Sequence, residues 1–428
     1  MNSWLDFFLL RDANAAWVLV GVSLLSISAG LVGVFSFLRK QSLVGDAISH
    51  ALLPGVCLAF LLSGSRNPGI LLLGAVVSGA MGLWVIERLN GIRKIQPDAA
   101  LAIVLSVFYG LGILMLTAIQ GSGMANQSGL DKFLFGKAAS LVREDILVFG
   151  AAALVVIVLL AVFYRPLRLL AFDADYMQVQ GWRVNRMQLL LSFLNILVIA
   201  LGIQAVGVVL MAALLIAPAA AARYWTHHLP SMLLLAGIFS WIAGVAGTAV
   251  SYAAPGMPTG PWIVVALMVI TFFSAAAGWD RGLWAAWRKQ VKNRRKMLRE
   301  NILKALYQMG EAKSALQAFH PITDLLDFRD LNPGQLQRSL SALVRDGFAE
   351  REGRQVRLTA LGMQEGARVT RIHRLWELYL TTHLGLPIDH VHDDAEAIEH
   401  VITPELEAEL AHRLNYPDKD PHESPIPY

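Results

Sequence analysis

The chain has 428 residues with 36 Lys/Arg, 32 Asp/Glu and a formal net charge of +4, a length that suits two or three domains. The charges are unevenly spread: residues 1–280 hold 15 basic and 11 acidic side chains, whereas residues 281–428 hold 21 of each and eight of the eleven His. The excess positive charge lies wholly in the first part and is no argument for nucleic acid, and the single Cys57 excludes a disulfide framework or a site of several thiolates.

The opening MNSWLDFFLLRDAN lacks a basic stretch followed by a small-residue cleavage site, so the first apolar helix is expected to direct insertion. Runs apolar enough to cross ~30 Å of hydrocarbon fall near 15–37, 48–63, 68–87, 99–119, 146–163, 188–203, 205–222, 232–252 and 261–279. An all-α polytopic membrane protein of about nine transmembrane helices is expected, with Gly202, Gly207 and Pro218 interrupting the seventh. Over nine spans, Arg39, Lys40, Arg88, Arg93, Lys94, Arg165, Arg168, Arg183, Arg186 and Arg223 fall on one side, which marks it as the cytoplasm. The 120–145 connection, with Lys132, Lys137 and Arg143, runs against that bias. The N-terminus is then outside and the tail inside, and WRKQVKNRRKMLR (287–299) meets the anionic lipid leaflet.

Within the second span, residues 42–56 read SLVGDAISHALLPGV. Asp46 and His50 stand four apart, so a helix points both the same way. A polar pair in such a segment is expensive unless it faces a cavity or a partner. Carboxylate plus imidazole suits Mn²⁺, Fe²⁺ or Zn²⁺, whereas Mg²⁺ and Ca²⁺ prefer oxygen alone. The plainer alternative is a buried hydrogen bond that stabilises the bundle. Further on, Gly136-Lys137 is followed by Ala138 and has no upstream glycine at the spacing of a phosphate-cradling loop. ATP hydrolysis is therefore expected from another subunit.

The tail reads as helix, helix, helix, hairpin, helix, helix. LRENILKALYQMG is amphipathic, PITDLLD is short, and NPGQLQRSLSALVRDG opens on a helix start signal. FAEREGRQVRLT gives two strands around a charged turn at Gly353. That order is a winged helix-turn-helix, with Gln335, Gln337, Arg338, Ser339 and Arg345 on the reading helix and Arg351, Arg354 and Arg357 in the wing. Gln and Arg suit base edges and phosphates, while the zero net charge of the tail and a membrane tether argue for a regulatory role without DNA. Beyond it, His373 and Glu377 lie four apart, and His392, Glu396, Glu399 and His400 follow at helical offsets. Such spacing gathers imidazoles and carboxylates on one face, as a divalent site needs; a solvated acidic helix is the bland alternative. Trp376 and Tyr379 read as core.

Two resemblances sharpen this reading. GDAISHALLPGV, QPDAALAIVLSVFYGLGILML, LDKFLFGKAASL, FDADYMQVQGWRVN, QAVGVVLMAALLIAPAAAA and SYAAPGMPTGP, in this order over about residues 10–280, resemble the ABC-3 family of metal-ion permeases. These are the membrane subunits of manganese, zinc and iron importers. The resemblance implies that Asp46 and His50 contact the passing metal, and that 172–184, with Asp173, Asp175 and Gly181, docks into an ATPase subunit. It also implies an extracytoplasmic metal-binding protein and a second permease copy or homologous permease.

Over about residues 295–428, RIHRLWELYL, LGLPIDHVHDDAEAIEHVITPELEAEL and DPHESPIP resemble the diphtheria-toxin-repressor family of metal-dependent regulators. By that match His373, Glu377 and His392 form one ligand group and Glu396, Glu399 and His400 the other. Glu396 stands where iron-responsive members have Cys, and its harder oxygen leans towards Mn²⁺. The first helix departs from the pattern: Asn301 stands where a Met or Asp ligand is expected, and Lys304 where manganese-type members carry Glu.

The domains expected are a permease (1–280), a basic juxtamembrane linker (281–296), a winged helix-turn-helix (297–360) and a helical metal-binding and dimerisation domain (361–428). The expected function is a multi-pass permease subunit in the cell membrane, importing a divalent transition metal, with a cytoplasmic metal-sensing tail that regulates transport or transcription. The alternative is a membrane-anchored metal-dependent transcription regulator whose bundle does not conduct.

Overall fold

The computed structural model describes residue 7 and residues 13–65, 67–121, 143–254, 257–328, 332–387, 391–400 and 402–428. The LDKFLFGKAASL motif and Arg66 lie outside the described residues. The chain forms two compact units, Met1–Ala286 and Trp287–Tyr428.

The first unit is a helix bundle: α1 (Ala13–Leu38), α2 (Ser42–Ala51), α3 (Leu53–Ser63), α4 (Pro68–Asn90), α5 (Pro97–Gly121), α6 (Arg143–Val162), α7 (Tyr164–Phe172), α8 (Ala174–Val179), α9 (Val184–Ala205), α10 (Val208–Arg223), α11 (Leu229–Ala253) and α12 (Thr259–Ala277). Among the described residues, eight helices are long and apolar enough to cross a membrane. The expected seventh span, α10, is shorter at 16 residues and contains Pro218. It packs against α1, α2, α9, α11 and α12, with Met211, Leu214, Leu215 and Ala219 buried. Neighbouring helices rather than lipid surround it, so its length need not match the hydrocarbon thickness. Leu73, Val77, Leu114, Val269 and Phe272 point outward and exposed, as a lipid-facing surface requires.

The second span begins earlier than its apolar run, at Leu43 instead of about residue 48. Asp46 and His50 therefore sit on its first three turns. Leu52 separates α2 from α3 but keeps a helical conformation (φ −74°, ψ −28°). The cause is Pro54, which offers no N–H to the His50 carbonyl one turn earlier. Beyond this joint the backbones of α3 and α4 touch: a Cβ on Gly55 would lie 2.1 Å from the Gly74 carbonyl oxygen. Glycine is needed at that contact, the small-residue packing typical of membrane helices.

The second unit opens with α13 (Leu283–Ala312), which starts in the last residues of the first unit, and continues with β1 (His320–Pro321), α14 (Ile322–Phe328), α15 (Pro333–Arg345), β2 (Ala349–Glu352) and β3 (Gln355–Leu358). The strands form an antiparallel sheet in the order β1-β3-β2, with Ala349 opposite Leu358. Gly353 takes the left-handed conformation (φ +58°) that the hairpin turn demands. Asn332 caps α15 by accepting from the Gly334 N–H at 3.0 Å, and Pro333 occupies its first turn. Leu336, Leu340 and Leu343 then face Ile302, Leu306, Leu325 and Val356 in one core. This is the winged helix-turn-helix expected, with the short strand β1 added.

The last part comprises α16 (Ala360–Leu384), α17 (Val391–Ile398) and α18 (Pro404–Arg413). Thr359 caps α16. Trp376 and Tyr379 stack at 5.2 Å against the core of Leu375, Leu410 and Ile426. Arg371 holds Glu407 and the Pro427 carbonyl, and Arg374 holds Glu311 and the Pro425 carbonyl, which fastens the C-terminal segment to α16.

Candidate functional site

Helix α2 presents Asp46 and His50 one turn apart, with Oδ1 and Nε2 separated by 3.7 Å. That is too long for a hydrogen bond but close enough for both to contact one cation. The two side chains are 38% and 14% exposed, so the pair is neither locked in the core nor fully solvated. The His50 ring meets Tyr109 of α5 edge-on, centroids 4.8 Å apart, and its Nδ1 is enclosed without a hydrogen-bond partner. The packing fixes the ring while leaving Nε2 directed towards Asp46. The opposite face of α2, with Val44, Gly45 and Ile48, closes a separate small cavity lined by Ser36, Glu87, Gln188 and Asn195. There the Ser36 hydroxyl donates to Asn195 Oδ1 at 2.8 Å. One face of α2 thus closes this cavity, and the other presents the carboxylate and imidazole.

Between α7 and α9 lies the short helix α8. Asp173 caps it, its Oδ1 accepting from the Tyr176 N–H at 2.8 Å, and Gly181 ends the loop at φ +83°. Asp175 is exposed in its first turn. Met177 anchors the turn in the core, while Phe172, Tyr176, Val179 and Trp182 project into the open. This apolar face was not singled out by the acidic and glycine positions in the sequence.

In the tail, His373 and Glu377 stand one turn apart on α16, with Nε2 to Oε1 at 3.0 Å. The Nδ1 of His373 lies 2.6 Å from Glu399 Oε2, so the structure joins members of the two expected ligand groups. His400 turns instead to Glu300 of α13, Nδ1 to Oε2 2.7 Å, and keeps Nε2 3.6 Å from Glu399 Oε1. The backbone of His392 belongs to α17, but its side chain lies outside the described residues; Glu396 is half-buried. Sequence reasoning missed Glu300, although it sits one turn before Lys304 on the same helix.

Lys304 decides the electrostatics. Its Nζ lies 2.8 and 3.1 Å from the two oxygens of Glu399, and both side chains are sealed, 1% and 0% exposed. Burial, the largest influence on Glu399, pushes its pKa up, but His373 and Lys304 outweigh it and hold the carboxyl below its usual range. Burial likewise draws His373 down, and Glu377 and Glu399 reverse this, leaving it above its ordinary value. A divalent metal on Glu399 would stand about 2.0–2.2 Å from the same oxygens, sharing them with an ammonium. Among the described residues, no three His, Cys, Asp or Glu side chains are disposed to hold a metal ion. A regulatory metal at Glu399 does not fit this arrangement.

On the winged helix, Gln335, Gln337, Arg338 and Arg345 of α15 and Arg351 and Arg354 of the wing are exposed. Arg357 is occupied, with its Nε 2.7 Å from Glu350 and its guanidinium over the Phe319 ring. Gln335, Arg338 and Arg345 face Arg294, Arg295 and Arg299 of α13 across an open cleft, where Asp346 meets Arg299 at 2.8 Å and Arg345 at 3.5 Å.

Comparison with known proteins agrees with both halves. The model of the ABC 3 transport family matches residues 12–278, and that of the iron dependent repressor, metal binding and dimerisation domain matches residues 359–428. The chain is 39% identical over 384 residues to the manganese transport system membrane protein MntC of Bacillus subtilis, covering 90% of this chain and 87% of that protein. It is 44% identical over 283 residues to the zinc transport system membrane protein TroC of Treponema pallidum, covering 66% of this chain and 95% of that protein. The first match extends well past the permease region, so it takes in much of the tail. Among solved structures, PsaBC from Streptococcus pneumoniae in complex with Fab superposes with a TM-score of 0.59 at 30% identity, covering 67% of this chain and 99% of that one. The chain belongs to the ABC 3 transport family and carries, after its membrane bundle, a domain of the iron-dependent repressor type.

Proposed function

We propose that this protein is the membrane-spanning subunit of an ATP-driven importer for a divalent transition metal, with Mn²⁺ favoured over Zn²⁺ and Fe²⁺. The observation that carries the proposal is the Asp46–His50 pair: a carboxylate and an imidazole 3.7 Å apart, partly accessible on a helix of a membrane bundle. Nitrogen with oxygen is a donor set for Mn²⁺, Fe²⁺ or Zn²⁺, and two relatives are named for manganese and zinc transport. Two ligands hold a dication loosely, which suits transit. The exposure of Asp46 leaves room for a second permease copy, or a homologous one, to complete the coordination.

An extracytoplasmic metal-binding protein delivers the ion, and a separate ATPase subunit drives the cycle. The ATPase docks on the loop around α8, where Asp173 and Gly181 shape the turn, Asp175 adds charge, and Phe172, Tyr176 and Val179 offer an apolar face. The tail lies in the cytoplasm, beyond the lipid-facing basic segment 287–299, and regulates transport or transcription. DNA enters only if Gln335, Arg338, Arg345 and Arg354 engage it; the arginine-lined cleft beside α15 favours that second reading, a membrane-anchored regulator. Uptake of radioactive manganese by cells carrying Asp46→Ala/His50→Ala separates the two. Lost uptake is the expected result, and undiminished uptake leaves the regulator as the better description.

A further inference from the structure

We infer that Lys304 takes the place of the regulatory cation in the tail, so that α13 is clasped to α16 and to the end of α17 by a side chain of the protein, without a divalent metal. The clasp is Lys304 Nζ against both oxygens of Glu399, at 2.8 and 3.1 Å. Glu399 is held from the other side by His373 Nδ1 at 2.6 Å, and His373 in turn by Glu377 at 3.0 Å. Three elements that are distant in sequence thus converge on one carboxylate. A second contact repeats the pattern beside it: Glu300 of α13 receives His400 at 2.7 Å, with Lys296 at 3.7 Å and Arg368 at 3.8 Å.

Glu399 and Lys304 are both excluded from water, and breaking such a buried ion pair is costly. Together with His373 they satisfy one another. A divalent ion bound to Glu399 would meet the ammonium on the same two oxygens and be repelled by it. A tethered ammonium also differs from a metal in supply. It is present in every folded copy at a fixed local concentration, whereas metal occupancy rises and falls with the free ion. The winged helix-turn-helix is therefore held to the C-terminal helices whether or not the cytoplasm contains free metal. This goes beyond the transport reading and does not depend on it.

The test is hydrogen exchange of the purified full chain in detergent, in an Asp46→Ala/His50→Ala background so that no transported ion contributes. Peptides from 300–312 and 369–384 are followed with EDTA and with an excess of Mn²⁺, Zn²⁺ or Fe²⁺. The expected result is the same protection in all conditions, within about twofold, as for a contact whose cation is built in. Lys304→Ala is expected to raise exchange in these peptides by roughly a hundredfold or more in EDTA, as for a broken buried ion pair. Protection of the Lys304-containing chain that rises with any of the three metals overturns the inference, as does Lys304→Ala with unaltered exchange in EDTA. The metal comparison requires no substitution in the tail, so a poorly folded variant does not blunt it.

Discussion

The membrane unit and the tail each bring a carboxylate to an imidazole, and the two sites are built to opposite ends. At Asp46 and His50 the groups stand 3.7 Å apart, partly accessible, with Tyr109 steadying the ring. At Glu399 and His373 they close to 2.6 Å, out of reach of water, with Lys304 filling the remaining coordination of the carboxylate. On the proposed reading, the same residue types make a place for a cation to pause or a place where the cation is already installed. Exposure and the presence of an internal counter-charge separate the two, and residue type does not.

The comparison breaks most sharply at the closed site. Lys304→Met removes the ammonium from the buried Glu399 carboxylate and leaves it His373 as partner; it is expected to destabilise the tail by about 3 kcal/mol, measured by denaturant-dependent proteolysis of the full chain. Adding Glu399→Gln removes the carboxylate charge that has lost its ammonium and is expected to recover most of that loss; a second substitution that only adds to the first would deny the pairing. At the open site Asp46→Ala alone should leave folding intact and lower manganese uptake by at least about a hundredfold, the upper end of what a lost supporting group does to a metal site. Thermal unfolding and uptake measured side by side distinguish a transit ligand from a structural one.

A smaller effect is expected at the proposed ATPase-docking loop. Val179 is 84% exposed on α8, so Val179→Asp cannot disturb the core. It should reduce metal-stimulated ATP hydrolysis by the reconstituted complex about tenfold, the loss typical of one interface anchor. The smallest effect concerns the winged helix alone. His320 is buried, and burial, then Lys313, hold its pKa below the ordinary value against the pull of Asp324. As pH falls below about 6.5 the unfolded chain takes up the proton first. Stability then declines, and levels off once the folded state is protonated too. His320→Phe should remove this acid-side slope without altering stability at pH 8.

Much of the fold was legible from local pattern. Spans of about twenty apolar residues define themselves, and so did the helix order and the Gly353 hairpin. The start of the second span was not, because Asp46 and His50 lower the local hydropathy that marks a span, although their helix is continuous with it to within the joint at Leu52. Strand β1 escaped because two residues carry no periodicity. Candidate ligands in the tail were visible as His and Glu at helical offsets, and the misfit of Lys304 with them was visible too. Their partners were not: offsets along one helix say nothing about which residue of another helix arrives opposite.

By itself the sequence determined the membrane bundle, the separate charged tail and the presence of a carboxylate–imidazole pair in each, since composition and period are properties of contiguous residues. Only the tertiary structure decided that Glu399 belongs to His373 and Lys304, the latter 95 positions away in the chain. It alone decided that Glu300 belongs to His400, and that Asp46 stays accessible. Those outcomes depend on which helix faces pack together, and packing is set by the whole core at once.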